Sequence, residues 1–584
     1  MFDILIKGGL VYDGSGEAGR VADVAIEGDR IVEVGERLSG QTRRTIDADG
    51  AIVTPAWVDI HTHYDGQVTW DSEMNPSASH GVGTIVMGNC GVGFAPVAPG
   101  GEQDLIELME GVEDIPGTAL HEGMPWGAWR SYPEYLDYLS SREYALNISS
   151  LVAHGAVRNF VMGERGRTNQ GATEGDLAQM CDLVEEALHA GAVGFSTSRI
   201  LGHRSIQGEP VPGTFANDAE VMIVAQALKR AGKGLFQIIP SSTLGPGSEG
   251  FEEHTTLEQE IDLITQVSRE SGRPATFTLF QVDAWQDKWR EAIERVKQGN
   301  ATGAQVYPQV GSRPTGLVLS LQTYHGWMMK PTYRNLLDLS AQERLQALRQ
   351  PQVKEAILSE TSLLEGVPMG SMEFGISHAE LDLANAFVLK SDSDYEPRRD
   401  TSVAAMAERE GVSAESWLYD YLVADPANMV IVFFTNYSEF NLDAVREMQM
   451  DPATVTGLSD AGAHVSLIFD AVNPTYQLTY WTRDRTRGDT LPLAHVIHRA
   501  TQKNARLFGF NDRGLLAPGM NADINVIDYD NLKLGELALI NDLPAGGTRL
   551  MQGASGYLAT LVNGTLTRRF DEDTLSRPGR LLRS

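Results

Sequence analysis

The apolar positions of the first 56 residues fall in short runs broken by Gly and Asp turns: DILIKGGLVYDG, ADVAIEGDRIVEVG and TRRTIDADGAIVTP. Such β-branched runs predict strands joined by tight turns. From about residue 57 the texture changes. WVDIHTHYD, GTIVMGNCG, ALNISSLVAHG, AVGFSTS, KGLFQIIP, RPATFTLFQ, ATGAQVYPQV and TVTGLSDAG read as eight strands. Helical stretches lie between them, such as EGDLAQMCDLVEEALHAG and NDAEVMIVAQALKRAGKG, each closing on a glycine C-cap. Repeated β-then-α over this length predicts an α/β fold built on a (β/α)8 TIM-like barrel spanning residues 57–510. After residue 510 the pattern returns to β in RGLLAPGMNADINVIDYD and GYLATLVNGTLTRRF. The simplest packing joins residues 1–56 and 511–584 in one small β-sandwich beside the barrel.

Composition narrows the functional classes. The chain has 584 residues, 42% of them hydrophobic, and a net charge of −31 from 47 basic and 78 acidic side chains. That balance argues against nucleic acid as a partner. No apolar run is long enough to span a membrane. The N-terminus, MFDILIKGGLVYDG, lacks the basic start and cleavage site of a signal peptide. Cys90 and Cys181 make no disulfide framework, which fits a reducing cytoplasm. Association into a homo-oligomer stays open.

The chemistry concentrates at predicted strand ends. His61 and His63 are spaced i, i+2, so both project from one face of the first barrel strand. Two imidazoles there can hold a divalent metal, or they can be ordinary polar residues closing a strand. Asp65 is either a partner to them or a helix cap. Cys90 ends the second strand between glycines, where a thiolate could bind zinc, whereas Cys181 sits in a helical pattern as core. His154 ends the third strand as a site residue or a structural histidine. Asp460 ends the eighth, where a carboxylate can take a proton from water and pass it to a leaving group. His464 lies close behind it. Gly14 to Gly19 matches G-x-G-x-x-G but opens no helix, so it reads as a hairpin turn.

HTHYD, GNCGVGFAP, the SD of the last strand and RGLLAPGMNADINVID together resemble the amidohydrolase superfamily, and within it the N-acyl-D-amino-acid deacylase (D-aminoacylase) group. The resemblance covers nearly the whole chain. It implies a distorted (β/α)8 barrel with a small β-sandwich built from both chain ends. It also implies a metal-dependent hydrolase of amide C–N bonds other than peptide bonds, acting on a small N-acyl amino acid or similar amide. His61 and His63 would be metal ligands, Cys90 the thiolate ligand, and Asp460 the acid/base; counted by donor atoms, Asp460 can also be a fourth ligand. One or two zinc ions are implied. The group also carries histidines at the ends of the fifth and sixth strands. Here Gln237 and Gln281 lie near those places, and His254 falls between the strands. Around the rim, Arg199, His203, Arg204 and Arg313 are candidates to line the site, the arginines to meet a substrate carboxylate. Segment 97–130, with Trp126 and Trp129, is long enough to cover it. Two other readings stay open: a metal-poor member used for binding or assembly, and a lyase or decarboxylase on the same barrel.

Overall fold

The structure is a computed structural model and describes residues 1–245, 255–379 and 381–584. Strands β1 (Phe2–Val11), β2 (Arg20–Glu27), β3 (Arg30–Gly35), β4 (Thr42–Asp47) and β5 (Ile52–Pro55) open the chain. β1 is bent by a register shift between Ile6 and Gly9. Its first half pairs with β4, and its last two residues, Leu10 and Val11, pair with β5. The bend lets one strand serve two parts of a curved sheet, which closes on a core of Ile4, Ile6, Val24, Val53, Ile524 and Leu561. The turn from Gly14 to Gly19 joins β1 to β2, as a hairpin turn should.

The barrel strands follow in chain order. They are β6 (Trp57–Asp59), β7 (Val82–Met87), β8 (Asn147–Ser150), β9 (Val152–Ala153), β10 (Gly194–Ser198), β11 (Leu235–Ile239), β12 (Ala275–Thr278) and β13 (Val306–Val310). β8 and β9 are one strand interrupted at Leu151, pairing with β7 before the break and β10 after it. The chain then makes an excursion that the periodicity does not predict. β14 (Gly316–Leu319), β15 (Ala386–Leu389) and β16 (Met429–Phe433) form a small antiparallel sheet. Helices between them pack on a separate core that includes Trp327, Leu348, Ile357, Val403 and Leu422. β17 (Val455–Thr456) returns to the barrel beside β13. Within the barrel every ladder, through β6, β7 and β8 and through β9 to β13 and on to β17, is parallel. All eight strands expected from the sequence are present. The two helices quoted above run Glu174–Ala190 and Asp218–Ala231 and stop at Gly191 and Gly232.

The C-terminal strands are β18 (Ile524–Ile527), β19 (Lys533–Ile540), β20 (Arg549–Ser555), β21 (Tyr557–Val562), β22 (Thr565–Arg569) and β23 (Glu572–Asp573). β18 pairs with β5 on one side and β21 on the other, so both chain ends share one sheet. Among the described residues no helix is long and apolar enough to cross a membrane.

The ring has one weak seam, between β6 and β17, where no ladder forms. At the mouth, His63 N donates to Ala461 O at 2.9 Å and Asp460 N to His61 O at 3.1 Å. At the other end the buried Asn504 donates from Nδ2 to both Val58 O (2.9 Å) and Thr456 O (2.8 Å). One amide thus ties the strands that carry His61 and Asp460. Asn504→Leu should cost about 1–3 kcal/mol, the usual range for losing buried hydrogen bonds. The check is the denaturation midpoint, and a midpoint equal to wild type would refute the stitching role.

Candidate metal centre

Three donor atoms converge at the barrel mouth. His61 Nε2 lies 3.2 Å and His63 Nε2 3.6 Å from Cys90 Sγ. The three atoms all fall within 4.8 Å of one another, and all three residues are buried. Asp460 flanks the imidazole pair, its Oδ1 3.4 Å from His61 Nε2 and 3.7 Å from His63 Nε2. Ligand bonds of about 2.0–2.3 Å at tetrahedral angles would space neighbouring donors by roughly 3.3–3.6 Å. The observed separations match that spacing, and the N, N, S donor set suits zinc. Three close protein donors rather than four is the count of a catalytic rather than a structural zinc site.

The turn that carries Cys90 is held from several sides. Ser196 Oγ donates to Gly88 O and accepts from Gly91 N. Asp65 Oδ2 accepts from Gly88 N at 3.1 Å, and Gln237 Oε1 accepts from Cys90 N at 3.1 Å. A Cβ on Gly91 would stand 2.9 Å from Ser198 N, so only glycine lets the turn approach β10 this closely. Cys90, Asp460 and His464 all adopt left-handed backbone, at φ 59°, 47° and 49°. Each costs about 1–3 kcal/mol and survives only where surrounding contacts impose it. Three such residues meeting at one site point to a built site.

Contacts on the far ring nitrogens orient the imidazoles. Gln309, from β13, accepts from His61 Nδ1 at 2.8 Å, which turns Nε2 inward. Glu113 Oε1 lies 3.2 Å from His63 Nδ1, both groups buried. Burial pushes the His61 imidazole down to about 4, leaving it a neutral donor. Burial also pushes the Cys90 thiol up to about 12 and the Glu113 carboxyl up to about 7. Asp460 moves the other way. Burial opposes its charge, but His61, His63 and His464 hold the carboxyl down at about 2. A thiol raised so far needs a cation beside it to become a thiolate ligand.

The other candidates divide. Burial and then His464 and His63 drive the His203 imidazole down to about 3, and Ser198 Oγ lies 3.0 Å from its Nδ1, so His203 and His464 belong to this rim. Gln237 reaches the site through the Cys90 backbone rather than as a ligand. The Gln281 backbone is tied to Asn436 at the end of the excursion. His154 is committed elsewhere: Nδ1 meets Thr197 Oγ1 at 2.8 Å and Nε2 meets Glu220 Oε1 at 3.1 Å. Arg199 is a buried structural ion pair with Glu260 at 3.0 Å and does not present a free fork. Arg204 donates to Gly208 O at 2.7 Å within its own loop. Arg313 is buried and pairs with Asp470 through Nε at 3.0 Å. Cys181 packs in the core. His254 lies outside the described residues. Sequence reasoning missed Gln309 and Glu113. Gln309 is the penultimate residue of its strand, a position that could have drawn notice, but Glu113 ends a helix and carries no such signal.

The model of the amidohydrolase family described as Amidohydro_3 matches residues 44–567. The chain belongs to the amidohydrolase family. Among its relatives, D-aminoacylase of Alcaligenes xylosoxydans xylosoxydans is 36% identical over 198 residues, covering 34% of this chain and 37% of that enzyme. N-acyl-D-aspartate deacylase of the same organism is 32% identical over 231 residues, covering 39% and 42%. The matched stretches thus span less than half of either deacylase. An uncharacterised Mycobacterium tuberculosis protein is 25% identical over 563 residues, covering 91% and 85%. The whole chain superposes on the whole of a D-aminoacylase crystal structure with TM-score 0.64 at 22% identity. It does the same with N-acyl-D-glutamate deacylase of Bordetella bronchiseptica, a zinc and phosphonate complex, with TM-score 0.63 at 22%. The barrel-plus-sandwich fold and the amidohydrolase membership expected from the motifs therefore both hold.

The partners of His154 make its role testable. His154→Ala should destabilise the protein by about 1–3 kcal/mol, because Glu220 loses a buried partner. Zinc uptake should stay at the wild-type level. Loss of zinc with unchanged thermal stability would return His154 to the metal centre.

Proposed function

We propose that this protein is a zinc-dependent amidohydrolase that cleaves the amide of a small N-acyl amino acid. The observation that carries the reading is the convergence of His61, His63 and Cys90 beside Asp460 at the mouth of the barrel. His61, His63 and Cys90 would hold the ion. When bound, it supplies Lewis acidity, polarising the scissile carbonyl and lowering the pKa of a water. D-aminoacylase, which shares the fold, has a binuclear metal centre described as activated by one metal, so one ion at this triad is a sufficient hypothesis.

Asp460 does the proton work. Held as a carboxylate, it accepts a proton from the attacking water as the new C–O bond forms. It returns that proton to the nitrogen as the C–N bond breaks, giving a carboxylic acid and an amine. Arg313 is the proposed partner for the substrate carboxylate. Its guanidinium lies 3.9 Å from the Tyr395 ring centroid, and its two Nη groups have no hydrogen-bond partner among the described residues. A buried guanidinium whose Nη groups lack a partner among the described residues suits a carboxylate. Asp470, its partner through Nε, feels the charge of Asp460, which supports placing Arg313 near the same mouth.

Two outcomes check this reading. Asp460→Asn should lower kcat for release of amine from N-acyl amino acids by about 10²–10⁴-fold, the usual contribution of a general acid–base group. Activity within a few-fold of wild type would remove Asp460 from the chemistry. Arg313→Lys should raise KM for carboxylate-bearing amides by about tenfold, the loss of one charge-assisted hydrogen bond of about 1.5 kcal/mol. An equal change with amides that lack a carboxylate would show that Arg313 is structural.

A further inference from the structure

The helix in the segment after the second barrel strand, α1 (Glu102–Glu113), ends on two adjacent carboxylates that do not serve the helix. Its C-terminus is the negative end of the helix dipole, where acidic side chains are disfavoured. Glu113 is 1% exposed, and Asp114 follows in left-handed backbone at φ 49°. Their partners all lie outside the segment. Glu113 Oε1 is 3.2 Å from His63 Nδ1 and Oε2 is 3.6 Å from His464 Nε2, and its carbonyl accepts from His464 N. Asp114 Oδ2 accepts from Ser466 N (3.1 Å) and Ser466 Oγ (3.0 Å), and Oδ1 accepts from Tyr324 OH at 2.9 Å. The segment is also pinched at its base, where Val97 N donates to Arg130 O at 2.9 Å.

Among the described residues, neither His63 Nδ1 nor Glu113 Oε1 has a hydrogen-bond partner of good geometry, and both are buried. They face each other at 3.2 Å. An imidazole whose other nitrogen binds a metal is normally held by such a carboxylate. Two buried groups so placed are satisfied best when an ion on Nε2 draws density from the ring and strengthens the Nδ1–H donor.

We propose that Glu113 is a positioning residue that couples docking of the 97–130 segment to metal occupancy at His61, His63 and Cys90. The inference rests on the metal reading above. Metal on His63 tightens its grip on Glu113 and so on the end of α1. The docked segment in turn orients His63 and favours the metal. Linkage makes the two effects equal in free energy.

The test compares wild type, Glu113→Gln and Glu113→Asp with Glu122→Gln, an exposed change on the same segment. Zinc affinity is read by chelator competition, and amide hydrogen exchange over residues 102–124 is followed with and without zinc. Glu113→Gln should bind zinc about 10- to 100-fold more weakly, the range for losing such a partner. It should also lose the zinc-dependent slowing of exchange seen in wild type. Glu113→Asp, which keeps the charge with a shorter reach and serves if Glu113→Gln fails to fold, should fall between. Glu122→Gln should match wild type. Wild-type zinc affinity in both Glu113 variants overturns the proposal, as does a wild-type segment whose exchange ignores zinc. A wild-type protein that binds no zinc overturns the metal centre itself, and the coupling with it.

Discussion

Two imidazole nitrogens, Nε2 of His61 and of His63, lie within 3.7 Å of both the Cys90 sulfur and an Asp460 oxygen, inside a buried barrel mouth. Three buried donors and a part-exposed carboxylate crowded at this spacing need a common partner. Buried charge is costly unless it is paired or binds a metal. The shifts describe that need: the thiol is driven up to about 12 and Glu113 up to about 7, while Asp460 is held near 2. A divalent cation answers these pressures together, since it draws the thiol toward thiolate and offsets the crowded carboxylates.

Much of the remaining architecture delivers those four groups. The HxH pair and Asp460 come from β6 and β17, the two strands that no ladder joins. A few hydrogen bonds at the mouth and the Asn504 amide at the far end hold them together. Cys90 is presented by a turn that Ser196, Asp65 and Gln237 fix from three directions. Gln237 is instructive because it lies near the place where the group that the motifs resemble carries a histidine. It supports the cysteine backbone instead, so this barrel mouth is assembled differently from the pattern its motifs suggest.

The sequence made the strand-end residues legible because a parallel barrel puts every strand end on one rim. His61, His63, Cys90 and Asp460 could be paired on paper without any coordinates. What stayed hidden depends on distance along the chain. Gln309 reaches His61 across 248 residues, and Glu113 arrives from a helix in a long connection. His154 and Arg199 stayed undecided for a related reason: nothing local distinguishes a buried group with its own carboxylate partner from one that faces a site. The excursion between β13 and β17 was missed because GLVL, AFVL and MVIVF look like any short apolar run, and only their antiparallel pairing sets them apart from the barrel.

The most direct measurement is zinc content by mass spectrometry on wild type and Cys90→Ala, each supplied with zinc and then desalted. The account predicts about one tightly held zinc per wild-type chain, because the three close donors form one tetrahedral site, and little or none in the variant. A wild-type protein that stays empty, or a variant that keeps its zinc, would contradict a metal centre built on His61, His63 and Cys90.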